Sequence, residues 1–299
     1  MVRLGDIQFL NSWPVTYALR ERGIAADVQM VCGTPADLNR RLLTGELDAS
    51  AISSTLYLRH LEEFIPVPGL CIRSDSGVHS VLVVSRRPLE SLRGQKIGIS
   101  NQGATTPVFL KILLARRRLP LIPEVTSLRY PEILEEYPAA LLIGDEALDA
   151  SQKEGDLLSW DLGEAWSGWT KLPAIFALWV IRRHLVEQQP ELLARLTDAL
   201  HTSYAWGKAH QRELIAAMRK VFPWEANFLR RYLDGLSYEL DAKAWRGLRH
   251  FARQAEAIRE LPKGTSLVLL RHKNWRIRPS LWRRRAQHER TACDLARVR

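Results

Sequence analysis

Short apolar runs and stretches of helical period alternate through the first 180 residues. Residues 2–7 (VRLGDI) predict a strand that ends in the loop QFLNSWP, and Pro14 opens a helix through Leu19. Residues 27–32 (DVQMVC) predict a second strand. Thr34 then stands as N-cap, Pro35 at the first helical position, Leu38, Leu42 and Leu43 on one face, and Gly45 past the end. A third strand runs from Asp48 to Ile52 and closes in Ser53-Ser54-Thr55 before a helix to His60. Residues 78–85 (VHSVLVVS) and 96–100 predict strands. The segment NQGATTP leads from the second of these into the helix FLKILLARR. A strand around 125–129, a helix from Pro131 to Tyr137, a buried strand Ala139–Ile143 ending in Gly144-Asp145, and an apolar strand Leu178–Ile181 complete this part. The order is that of an α/β protein, with parallel strands joined by crossover helices.

After Pro190 the period changes. Leu192, Leu193, Leu196, Ala199, Leu200 and Tyr204 keep to one helical face, as do apolar residues around Ile215, Met218 and 228–233; residues 241–260 form one more helix. The expected fold is therefore α/β with a helical C-terminal third. No internal repeat or low-complexity segment interrupts it.

Charge alters this picture only at one end. The 299 residues carry 43 Lys+Arg against 33 Asp+Glu, a net +10 that invites a nucleic-acid or anionic-membrane reading. Residues 271–299, however, hold ten Lys/Arg and only two acids, so the rest of the chain is at +2. Nucleic acid is not expected as a partner despite Arg283-Arg284-Arg285, Trp275 and Trp282 in this tail. No run of 18 apolar residues is present, so no membrane span is expected. The start, MVRLGDIQFLNSWP, lacks the apolar core and cleavage site of a signal peptide. Cys32, Cys71 and Cys293 have no CxxC spacing, and a cytoplasmic protein with inert cysteines is expected.

Several strand-to-helix loops are rich in Ser, Thr, Asn and Gly. NQGATTP is the clearest: a helix N-terminus offers unpaired N–H groups and partial positive charge, glycine lets a ligand approach the backbone, and Thr105 and Thr106 add hydroxyls. That set suits a carboxylate or phosphate. Thr106 could equally cap its helix, and the same two readings hold for Ser53 and Ser54. Asp145 either faces the crevice or caps the next helix. Several such loops at strand ends favour one anion-lined crevice, since ligands of open α/β sheets sit beyond the strand C-termini. There is no GxGxxG, P-loop, HExxH or GxSxG, and the eight His are scattered, His79 reading as structural. Trp166 and Trp169 read as core.

In order along the chain, FLNSWP, GTPADLNRRLLTGELDASAISSTLY, PGLCI, VLVVS, LLIGDEAL and DLGEAWSGWTKLPAIFALWV resemble the chorismate dehydratases, the first enzymes of the futalosine route to menaquinone. The resemblance runs from about Val2 to Leu261. It implies the fold of type 2 periplasmic binding proteins: two α/β lobes joined by two crossover strands, with an inter-lobe cleft. Lobe I would comprise residues 1–85 plus 182–264 and lobe II residues 86–181, followed by a basic extension, 265–299. The implied reaction is loss of water from chorismate, a small dicarboxylate, to give 3-[(1-carboxyvinyl)oxy]benzoate. No cofactor is expected, because forming the aromatic ring supplies the driving force. Asn11 is the catalytic candidate. Ser53, Ser54, Ser80, Thr105, Thr106 and Asp145 are the substrate-binding candidates, and no metal is expected. A sister family, the 1,4-dihydroxy-6-naphthoate synthases, is expected to carry a histidine where this chain reads Ile143-Gly144-Asp145. Two departures stand out: Phe9 where the family usually has Tyr, and a chain that continues past Leu261. The rivals are a carboxylate-binding protein on the same scaffold, which should show a signal peptide, and the effector domain of a transcription regulator, which should show a helix-turn-helix.

Overall fold

The computed structural model describes residues 1–25, 27–101, 103–152 and 157–271. Apart from Arg271, the basic tail therefore lies outside the described residues. Two sheets organise the chain. The first has six strands in the order β11-β4-β10-β3-β1-β2: β1 (Val2–Ile7), β2 (Val28–Gly33), β3 (Ala49–Ser53), β4 (Phe64–Ser74), β10 (Ala174–Arg182) and β11 (Ser237–Leu240). The second has five, in the order β7-β6-β8-β5-β9: β5 (Val81–Ser85), β6 (Lys96–Ser100), β7 (Ile122–Thr126), β8 (Ala139–Ile143) and β9 (Leu158–Asp161). In each sheet the βαβ strands run parallel, β1 with β2 and β3, and β6 with β7 and β8. The strands entering and leaving the second lobe, β5 and β10, pair antiparallel with their neighbours.

Local sequence explains the elements that carry the cleft. Thr34 accepts a hydrogen bond from the Asp37 N–H, Pro35 begins the helix Pro35–Thr44, and Gly45 ends it at φ +85°, a conformation that only glycine adopts without strain. The Asp241 carboxylate caps the helix Ala242–Ala257 by accepting from Ala244 N–H at 2.7 Å.

The sheets exchange chain between Ser74 and Val81, and again just before Ala174. Thus β5 belongs to the second sheet and β10 to the first, so each crossing falls somewhat before the expected lobe boundaries of 85/86 and 181/182. Three further elements differ from the sequence pattern. Strand β4 reads as no strand because Pro66 and Pro68 interrupt it; the structure absorbs them with register shifts against β10 and Gly69 at φ +75°. The strand expected near 125–129 lies at Ile122–Thr126, on the sheet edge. There Ile122 and Val125 are exposed and leave no alternating pattern to read. The short edge strands β9 and β11 are equally silent in the sequence.

One continuous apolar core runs through both lobes, and a smaller cluster around Leu82, Val84, Ile133 and Leu142 covers the far face of the second sheet. Where the lobes meet behind the cleft, Phe109 of the helix Thr105–Arg117 packs on Trp166, Phe176 and Phe251 with ring centroids 4.9, 5.7 and 4.4 Å apart. Trp166 is fully buried and donates to the Pro173 carbonyl, which bears out its reading as core. No described helix is long and apolar enough to cross a membrane.

Candidate functional site

Parallel strands deliver their C-terminal ends, and the helix N-termini that follow, to the same edge. Here the two edges face each other. The cleft between them is bounded by the starts of five helices: Trp13–Arg22, Pro35–Thr44, Ser54–Arg59, Thr105–Arg117 and Asp145–Gln152. It holds about 870 Å³ of space, its open mouth included, which lies within the roughly 300–1,000 Å³ of small-molecule sites. Ile7, Phe9, Ile52, Val81, Phe176 and Leu236 make its walls largely apolar. Its polar lining groups are Asn11, Ser12, Asn39, Ser53, Ser80, Thr105 and Thr106, with Gly103 and Gly144 exposing backbone. No charged side chain lines it among the described residues.

The turn after β1 is held from both sides. Ser12 Oγ donates to the carbonyls of Ile7 and Phe9, and Thr16 Oγ1 donates to the Ser12 carbonyl. From the rear, the hydroxyl of buried Tyr238 donates to the Asn11 carbonyl at 2.8 Å. The Asn11 backbone is thus fixed, while its amide makes no hydrogen bond to any described residue.

The other candidates divide. Ser53 Oγ accepts from Leu56 N–H and also lines the cleft, so both of its sequence readings hold together. Ser54 does not reach the cleft: it is fully buried and donates to the Ile175 carbonyl at 2.7 Å, tying its helix to β10. The residue capping the helix of Thr105 and Thr106 is Ala104, without a side-chain cap, so Thr106 is not a cap. Thr105 Oγ1 accepts from Thr55 N–H at 2.9 Å, a bond between the lobes. Thr106 Oγ1 is buried without a hydrogen-bond partner among the described residues. Ser80, on the segment that crosses between the sheets, accepts at Oγ from the hydroxyl of Tyr232 at 3.1 Å.

Asp145 lies beside the cleft. It lines a neighbouring cavity with Gln8, Cys32, Asn101 and Arg129 that shares Ile7, Phe9 and Pro35 with the cleft wall. Burial, reinforced by Asp149 and Glu146, pushes its carboxyl up to about 6. No described cluster of His, Cys, Asp and Glu could hold a metal ion. His79 is exposed, in a left-handed turn at φ +58°, its N–H donating to Asp161.

Asn39 was not evident from the sequence. It stands four residues after Pro35 on one helix, and both residues line the cleft. That spacing was the available signal, hidden because Leu38 and Leu42 dominate the apolar pattern.

Comparison with solved structures fits this architecture. A protein of Archaeoglobus fulgidus superposes with a TM-score of 0.72 at 20% identity, covering 87% of this chain and 98% of its own. The periplasmic aliphatic sulphonate-binding protein of Escherichia coli does so with a TM-score of 0.65 at 14% identity, covering 92% of each. The fold is that of the periplasmic binding proteins. Among curated relatives, the chorismate dehydratase of Thermus thermophilus is 28% identical over 270 residues, which is 83% of this chain and 93% of the relative. The 1,4-dihydroxy-6-naphthoate synthase of the same organism is 28% identical over 228 residues, 73% and 78% respectively. The model of the menaquinone biosynthesis family matches residues 2–257, and the chain belongs to that family.

Proposed function

We propose that this protein removes water from chorismate to give 3-[(1-carboxyvinyl)oxy]benzoate. One observation carries the reading: a largely apolar cleft whose polar contacts are hydroxyls, amides and helix N-termini rather than charged side chains. A dicarboxylate bound there is held by N–H and O–H donors, and the cleft sets no strong base against its ring. The longer match to the dehydratase than to the naphthoate synthase supports the same reading, as does the absence of histidine at Ile143-Gly144-Asp145.

In the reaction, a proton leaves the ring carbon bearing the enolpyruvyl ether and hydroxide leaves the adjacent carbon. The C–H bonding pair completes the aromatic ring, the C–O pair leaves on the hydroxide, and proton and hydroxide together make one water. Asn11, with its amide unengaged and its backbone pinned by Tyr238, donates to the departing hydroxyl. An amide is a poor base, so a carboxylate of the substrate takes the ring proton. Ser53, Ser80, Thr105 and Thr106 supply hydroxyls to the carboxylates, and the apolar wall keeps bulk water from the ring.

Incubating the purified protein with chorismate tests the proposal, with the aromatic product followed by absorbance and mass spectrometry. Formation of the enolpyruvyl benzoate is the expected result. Tight binding without product would mark a carboxylate-binding protein instead, and turnover only in the naphthoate-forming step would assign the sister activity.

A further inference from the structure

Tyr232 lies outside the cleft, on the helix Ala226–Asp234, yet its hydroxyl reaches a cleft residue 152 positions earlier in the chain. It is 2% exposed. Among the described residues, Ser80 Oγ is the only hydrogen-bond partner of its hydroxyl. A buried phenol donates somewhere, so the direction of this bond is set: Tyr232 donates and Ser80 accepts. Burial raises the Tyr232 phenol well above its usual range, so it stays protonated and remains a donor.

The backbone of Ser80 is equally committed. Its N–H donates to the Val78 carbonyl at 2.7 Å and its carbonyl accepts from Gly144 N–H at 2.8 Å. Its hydroxyl proton has no acceptor among the described residues, and Ser80 and Gly144 both line the cleft. With Tyr232 donating to its oxygen, the Ser80 hydroxyl keeps its proton free to donate into the cleft that it lines. A donor behind it also polarises its O–H bond and strengthens that donation.

We propose that Tyr232 is a positioning residue that makes Ser80 a committed, polarised donor to a substrate carboxylate, and so determines affinity for the anion rather than the rate of its elimination. The inference rests on the dehydratase reading above for the identity of the substrate.

The test is a double-mutant cycle in the full-length protein, with chorismate turnover and thermal melting measured for each variant. Tyr232→Phe keeps the ring and removes the donor; it is expected to raise KM about threefold to tenfold with kcat within about twofold. Ser80→Ala is expected to raise KM about tenfold or more. Tyr232→Phe in the Ser80→Ala background is expected to change KM no further, although it still lowers the melting temperature. An unchanged KM in Tyr232→Phe, or KM factors that multiply in the double variant, overturns the inference while leaving the dehydratase reading intact. Absence of chorismate turnover in the wild-type protein overturns that reading first. Should Tyr232→Phe not fold, 3-fluorotyrosine at position 232 serves: a stronger donor of nearly the same size should lower KM, and an unchanged KM refutes the assignment.

Discussion

Asn11 is available for chemistry because its carbonyl, rather than its amide, takes the bond from Tyr238. If the proposed reaction holds, Asn11→Ala removes the donor assigned to the leaving hydroxyl and should lower kcat about a hundredfold or more with little change in KM; steady-state kinetics on chorismate check this. Asp145 poses a different problem, a carboxyl raised to about 6 by burial beside Asp149 and Glu146. A carboxyl raised on folding contributes most below its unfolded pKa, and that contribution is lost as pH rises toward 6. Asp145→Asn should therefore stabilise the protein by roughly 1–3 kcal/mol at pH 8 and by little at pH 4.5, as thermal melts at the two pH values would show. Residues of this kind were legible only where chain order placed them at strand ends. Ser53, Ser80, Thr105 and Thr106 reach the cleft, whereas Ser54, one residue past Ser53, points into the protein and binds Ile175 instead. Sequence cannot separate such neighbours, because which one faces the cleft depends on how the turn is tilted by distant β10.

The start of the helix Thr105–Arg117 both lines the cleft and locks the lobes. Thr55 N–H, buried at the start of the helix Ser54–Arg59, has Thr105 Oγ1 as its acceptor. Thr105→Val keeps the side-chain shape but strands that donor, and should cost about 1–3 kcal/mol of stability. Thr105→Ser should recover most of the loss, and urea unfolding of the pair measures both. The strands that carry parallel βα units were visible from their β-branched runs and following caps, as in Thr34-Pro35 before Pro35–Thr44. Strand β4 was not, although it pairs with both β10 and β11 at the heart of the first lobe. Its prolines oppose the local propensity, and only tertiary pairing with shifted register accommodates them.

At the scale of the molecule, two sheets share a core through Phe109, Trp166, Phe176 and Phe251, and every residue bounding the cleft lies between Ile7 and Leu236. The last described helix, Thr265–Arg271, packs on the helix Ala242–Ala257, with Leu269 buried and Ser266 N–H bonded to Glu256. The fold is therefore furnished with its core and its cleft before residue 272. The residues that follow hold most of the excess charge of a chain whose net is +10. A substrate with two carboxylates could feel such charge only as a long-range field, which speeds encounter at low salt and fades within about 8 Å at 0.15 M ionic strength. Truncation after Arg271 should consequently leave kcat and KM for chorismate within about twofold of the full chain at 0.15 M salt, since a screened field leaves little steering. Any effect should appear as a fall in kcat/KM confined to low salt. A tenfold or larger loss of kcat at 0.15 M with an unchanged melting temperature would instead make residues 272–299 part of the catalytic apparatus, because a screened field cannot act on a step that follows binding.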